Sequence, residues 1–156
     1  VYGDALFGKC LDDTIRAHLR NSKHQVYNYL FTYEGTHSFT EIHSGKKYGV
    51  HHGDDMIYLF KVADSIFPKR NETEDDVKVR ELLTTYIFNF VQTGNPTPTI
   101  DNVVKTKWEP VKTDKLEYYH IDSDVQEMRA PLYKERVAFW RRVALQPKKN
   151  LVREEL

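Results

Sequence analysis

The stretch QVYNYLFTYEG, residues 25–35, most constrains what this chain can fold into. From Val26 to Tyr33 it is rich in Val, Tyr, Phe and Thr, residues that fit a pleated backbone, and it ends at Gly35. Successive side chains of a strand point to opposite faces, and here both faces carry apolar or aromatic groups. A strand of that kind needs cover on both sides, which a helix-flanked sheet provides. It also needs neighbouring strands, because a lone strand leaves its ladder groups unpaired. The fold class expected is α/β, with one or few sheet strands and flanking helices.

The helices follow from spacing. In LFGKCLDDTIRAHLRN, Leu11, Ile15 and Leu19 recur every fourth residue and predict a short amphipathic helix. In TEDDVKVRELLTTYIFNFVQTGNP, Val79, Leu82, Leu83, Tyr86, Ile87, Phe90 and Val91 fall at helical spacing. Thr73 with Asp76 resembles a capping box, acidic residues fill the first turn, and Gly94 followed by Pro96 stops the helix. The aromatic stripe Tyr86, Phe88, Phe90 reads as core packing. WEPV and KLEYYHID read as short extended pieces. A final helix is expected over APLYKERVAFWRRVAL, with Leu132, Val137, Trp140 and Val143 or Ala144 on one side. Residues 147–156 read as a loose polar tail. One clear strand beside three helices cannot close a sheet, so its neighbours are expected upstream. A chain that opens Val-Tyr-Gly-Asp without Met or a signal-like segment reads as a fragment or a processed chain.

Charge excludes some partners. Lys plus Arg and Asp plus Glu each total 23, so no basic surface points to nucleic acid or a polybasic membrane contact. No apolar run approaches the roughly 18 residues of a membrane span. Cys10 is the only cysteine, which leaves no internal disulfide and no Cys-based zinc site. No cofactor is implied, and oligomeric state is left open.

Chemistry concentrates in YGVHHGDDMIYLF, residues 48–60. Histidine exchanges protons near neutrality, but acts as a base only with a nucleophile in reach and a group fixing its tautomer. His52 stands just before Gly53, which permits a sharp turn, in a loop after the strand candidate. Asp54 and Asp55 are too close in sequence to serve as its acidic partner. One of them is expected to cap the following turn or tie the histidine loop to nearby backbone. His51 reads as surface or pocket lining. His37, His43, His51, His52 and Asp54 match no zinc spacing, so a metal site is not expected.

The segment resembles the histidine-bearing segment of type-B carboxylesterases and cholinesterases, Gly-Val-x-His-Gly-x-Glu followed by an aromatic-rich run. Other stretches resemble the same family in the same order. They are VYNYLFTYEG, TTYIFNFVQTGNPTP, KWEPV, LEYYHID and ERVAFW, so the likeness spans about Gly3 to Val143. YLFTYEG with HHGDD looks most like the insect detoxifying esterases. The resemblance implies an α/β-hydrolase fold, of which residues 1–156 would be the C-terminal part of a single domain. It implies hydrolysis of carboxylic esters by a Ser, His and Glu or Asp triad, with His52 as the catalytic histidine. Small-molecule esters, neutral and apolar, would be the substrates, and detoxification of xenobiotic or lipid-like esters the role.

The chain departs from a complete enzyme. Ser22, Ser38, Ser44, Ser65 and Ser123 all lack the flanking glycines of a nucleophile elbow, and no oxyanion-hole Gly-Gly pair occurs. The nucleophile and the triad acid are expected upstream, and the chain alone is expected to be inactive. The alternative is a catalytically silent relative that keeps the fold for binding or adhesion. Asn71 begins an Asn-Glu-Thr glycosylation sequon, and the terminal REEL resembles a luminal retention signal. Both favour a secreted or luminal location, with a cytoplasmic one as the alternative. Where cholinesterase-type members often carry a cysteine before the terminal Phe-Trp, this chain has Val137.

Overall fold

The computed structural model describes residues 3–112 and 115–145, with the side chains of His43, Ala144 and Leu145 left aside. In chain order the elements are a π-helical turn Asp4–Gly8, α1 Lys9–Asn21, β1 Tyr29–Phe31, α2 Thr40–Ser44, α3 Asp54–Leu59 and α4 Ala63–Ile66. They continue with α5 Glu74–Thr93, β2 Tyr118–Ile121, β3 Gln126–Arg129 and α6 Lys134–Leu145. The expected polar tail and the REEL terminus lie outside the described residues. The described residues form two compact units, one from residues 3–23 with 133–145 and one from residues 24–112 with 115–132.

In the first unit α1 and α6 meet through charge as well as burial. Ile15 and Val137 are buried. Arg141 pairs with Asp12 and lies 2.6 Å from Asp13, while Arg16 lies 2.9 Å from Asp12 on the same helix. The last helix starts four residues later than its sequence suggests. Tyr133 takes a left-handed φ of 45°, which the right-handed helix cannot include.

The second unit is built on α5 and a three-stranded sheet in the order β1-β2-β3. β1 runs parallel to β2, with Tyr29 opposite Tyr119 and Phe31 opposite Ile121. β2 and β3 are antiparallel. The strand is shorter than its sequence suggests, although Tyr119 N–H donates to the Asn28 carbonyl at 2.8 Å and Thr32 N–H to Ile121 at 3.0 Å. Tyr29, Leu30 and Phe31 are half-buried instead of covered on both faces. WEPV forms no strand; Val111 N–H donates to the Val26 carbonyl at 2.8 Å beside the sheet.

α5 begins and ends where local chemistry says it should. The Thr73 hydroxyl accepts from Asp76 N–H, the Asp76 carboxylate accepts from Thr73 N–H, and Gly94 closes the helix at φ 73°. Val79, Leu82, Leu83 and Tyr86 are buried against the sheet core, each apolar side chain contributing roughly 1.5–3 kcal/mol. The aromatic stripe does not hold as core. Phe88 is 64% exposed and Phe90 44%, leaving only Tyr86 inside. At 3.6 residues per turn, positions 86 and 88 point to nearly opposite sides, so alternate residues cannot share one face. Tyr86 instead joins an aromatic cluster in which Trp108 stacks on Tyr119 at 5.1 Å and Tyr86 meets both edge-on. The buried hydroxyls pair too, Tyr86 with Tyr119 at 3.0 Å and Tyr119 with the Thr106 carbonyl at 3.0 Å.

Candidate active site

The loop that carries the histidines leaves the carboxyl end of β1, where open α/β sheets place their ligand sites. It is fastened first by Asp76. That carboxylate accepts from Thr36 N–H at 3.1 Å and the Thr36 hydroxyl at 2.5 Å, just past the strand. It also accepts from the Tyr58 hydroxyl at 2.9 Å and the Tyr33 hydroxyl at 3.2 Å. Burial pushes the Asp76 carboxyl up, but hydrogen bonds from Thr36 and Thr73 outweigh it and hold the group well below the usual carboxylate range. Burial first, and then the neighbouring Asp76 charge, raises the Tyr58 hydroxyl. Gly35 makes this junction possible. A Cβ there would stand 1.8 Å from the Tyr58 hydroxyl oxygen and 2.4 Å from Asp76.

Further along, Arg70 lies 2.7 Å from Glu41 of α2 and donates to the Thr36 carbonyl at 3.1 Å, and Lys47 donates to the Gly35 carbonyl at 2.8 Å. The loop then reaches His51, His52, Gly53 and Asp54. Asp54 N–H donates to the His51 carbonyl at 3.1 Å, and Gly53 has φ 92° and ψ −2°. Those angles are the second central position of a type II turn, which a residue with a Cβ adopts only under strain. His52 therefore occupies the first central position, at the outer corner of the turn, and is exposed.

Asp54 sets that turn. It is 3% exposed, and its two oxygens are committed to backbone, one accepting from Phe39 N–H and the other from His51 N–H, both at 2.8 Å. The expectation that one of the paired aspartates ties the histidine loop to backbone is met by this residue. Asp55 does a related task, accepting the Tyr29 hydroxyl of β1 at 2.5 Å. Burial and then that hydrogen bond raise the Tyr29 hydroxyl, which keeps it a donor. His51 is exposed, with its Nδ1 2.7 Å from the His52 carbonyl. A contact to an oxygen acceptor requires Nδ1 to carry the proton. His37 stacks on Phe67 at 4.8 Å, and burial followed by the Arg70 charge lowers its pKa. The side chain of His43 lies outside the described residues. Among the described residues no group of His, Cys, Asp and Glu side chains is arranged to hold a metal ion.

Sequence reading found the turn glycine and the capping box, both present in the structure. It missed the reach of Asp76, whose partners Tyr33, Thr36 and Tyr58 lie far from it along the chain. The Thr73–Asp76 spacing was the available signal, but it announces only the local half of the contacts. Ser38 is buried and its hydroxyl bonds to Thr40 at 3.0 Å, and the Ser44 hydroxyl donates to the Thr40 carbonyl at 3.1 Å. Chemically, the arrangement is an exposed imidazole on a rigidly pinned turn, suited to take a proton from a hydroxyl brought by another segment.

Comparison with known proteins now bears on this geometry. The carboxylesterase family profile matches residues 1–140. Juvenile hormone esterase of Tribolium castaneum is 26% identical over 161 residues, covering 93% of this chain and 27% of that protein. Venom carboxylesterase-6 of Apis mellifera is 31% identical over 124 residues, 78% of this chain and 21% of that protein. The crystal structure of juvenile hormone esterase from Manduca sexta, with OTFP covalently attached, superposes with a TM-score of 0.71 at 23% identity. That match covers 90% of this chain and 27% of the other, and places the described sheet and helices within an α/β-hydrolase fold. The chain spans about a quarter of the length of the relatives it matches. With its profile match running through the pinned histidine turn and both described units, the chain belongs to the carboxylesterase family.

Proposed function

We propose that the full-length protein is a serine carboxylic ester hydrolase, that this chain is the C-terminal part of its catalytic domain, and that His52 is its proton carrier. The observation that carries the reading is the turn itself. An exposed imidazole stands at the corner of a type II turn whose backbone is clamped by a buried carboxylate, beyond the carboxyl end of a parallel strand. In the reaction a serine from another part of the protein attacks the ester carbonyl while His52 takes its proton. His52 then returns that proton to the departing alcohol, and water repeats the cycle to release the acid. An upstream carboxylate fixes the imidazole tautomer, since the oxygens of Asp54 are already bound to backbone.

Neutral, apolar esters are the substrate class. Two groups of substrates deserve the first assays: juvenile hormone, because of the relatives that bear its name, and xenobiotic esters, from the likeness to detoxifying esterases. The test is His52→Ala in the full-length protein. Ester hydrolysis should fall by a factor on the order of 10⁶ with the fold intact by circular dichroism. Retained hydrolysis would remove His52 from the mechanism, and an inactive parent enzyme on every ester tried would favour a silent binding relative.

A further inference from the structure

We propose that Tyr29 is a positioning residue for ester hydrolysis, its hydroxyl acting through Asp55 to fix where the His52 turn stands above the sheet. The inference rests on His52 as the proton carrier. Tyr27, Tyr29 and Tyr33, at alternate positions along β1 and its flanks, all pack on the same core cluster. Their hydroxyls go to different places. That of Tyr27 turns back to Gln25 at 3.0 Å, that of Tyr33 goes to Asp76 of α5 at 3.2 Å, and that of Tyr29 reaches α3, donating to Asp55 at 2.5 Å.

α3 has six residues, Asp54–Leu59, too few to stand as a helix without anchors. Asp55 and Tyr58 are three residues apart and fall on one side of it. Tyr58 donates to Asp76 at 2.9 Å near the end of the helix, and Asp55 takes Tyr29 at its start. Asp54 gives no direct hold on the sheet, since its oxygens accept from the loop N–H groups of Phe39 and His51. Without the Tyr29 bond, α3 pivots on its Tyr58 anchor, and the end that moves furthest is the one joined to His52. That end is continuous with the turn: Met56 N–H donates to the Gly53 carbonyl at 2.9 Å, and Asp54 N–H to that of His51 at 3.1 Å. A shift therefore reaches the imidazole with the turn itself intact, and a displacement of about 1 Å costs up to about 10²-fold in rate. The Tyr29 ring is held separately, edge-on to Trp108 at 5.6 Å, and burial keeps its hydroxyl protonated as a donor.

The experiment uses the full-length protein, with steady-state kinetics on p-nitrophenyl butyrate and titration of active sites by an organophosphate. Tyr29→Phe keeps the ring and removes the hydroxyl. Its kcat per titrated site should fall about tenfold with KM changed less than about twofold. Tyr27→Phe removes a hydroxyl from the same cluster and should leave kcat unchanged. Asp55→Ala should match Tyr29→Phe, and combining the two should cost no more than either alone, because they share one bond. Asp55→Asn keeps an oxygen that accepts the Tyr29 hydroxyl and should recover most of the rate. A Tyr29→Phe kcat equal to that of Tyr27→Phe, or a loss that vanishes per titrated site, overturns the inference. So does an Asp55→Asn enzyme as slow as Asp55→Ala, which would make charge and not the bond responsible. Retained hydrolysis in His52→Ala overturns the proton-carrier reading underneath; an inactive His52→Ala beside an unaffected Tyr29→Phe overturns the positioning role alone.

Discussion

Asp54 and Asp76 are both buried carboxylates at helix starts, 3% and 2% exposed, yet they hold different things. Asp76 collects donors from Tyr33, Thr36, Tyr58 and Thr73, so one side chain joins the end of β1, α3 and α5. Asp54 collects two backbone N–H groups, both inside the loop that presents His52. The first fastens tertiary structure; the second shapes a single turn. What a buried carboxylate does is thus decided by the donors the fold delivers to it, because each buried acceptor has to be satisfied by whatever lies within about 3 Å.

The comparison can be broken by mutation in the full-length protein. Asp76→Ala strands several buried donors and should lower unfolding free energy by at least about 3 kcal/mol, read by urea denaturation. A loss under about 1 kcal/mol would show that the junction is held by packing alone. Gly35→Ala drives a methyl into the Tyr58 hydroxyl and Asp76 and should cost about 2–3 kcal/mol. Asp54→Ala should be milder in stability, about 1–2 kcal/mol, but should lower kcat roughly 10- to 100-fold with KM little changed, since it loosens the turn and leaves the imidazole present. Equal effects of Asp54→Ala and Asp76→Ala on kcat, each in proportion to its stability loss, would erase the distinction. Thr73→Ala should be the smallest, about 1 kcal/mol, because Asp76 keeps its other donors.

Acid sharpens the same contrast. The folded Asp76 carboxyl lies below its ordinary value of 3.8, so its contribution is complete above that pH and is lost as pH falls below it towards the folded value. Asp76→Asn should therefore flatten the fall in melting temperature between about pH 4 and pH 2, whereas Asn71→Gln should leave that slope in place.

How much of this was legible in the sequence follows the range of each interaction. The α5 cap was legible because Thr73 and Asp76 are three residues apart and their bonds form within one turn. The sharp turn after His52 was legible through Gly53, which takes φ 92° there. The short helices α2, α3 and α4 have too few residues to show a period; α2 and α3 are tied elsewhere through Arg70 to Glu41, and through Asp54 and Asp55. β3 was missed for another reason. Gln126–Arg129 holds a single apolar residue, Met128, and its strand exists because β2 offers a ladder across a short turn. Phe88 was misplaced because counting aromatics at every second residue applies a strand's period to a helix, whereas Phe90 lies on the same side as Tyr86 and meets Tyr27 edge-on at the margin of the core.

By itself the sequence determined the helix period of α5 and its ends, and the sharp turn at Gly53, since these rest on neighbours a few residues apart. Only the tertiary structure decided that β1 pairs in parallel with β2, that Asp76 and not Asp54 binds the loop to α5, and that Phe88 faces outward. Those outcomes depend on which groups meet across tens of residues, and burial fixes the meeting points by requiring every enclosed donor and acceptor to find a partner.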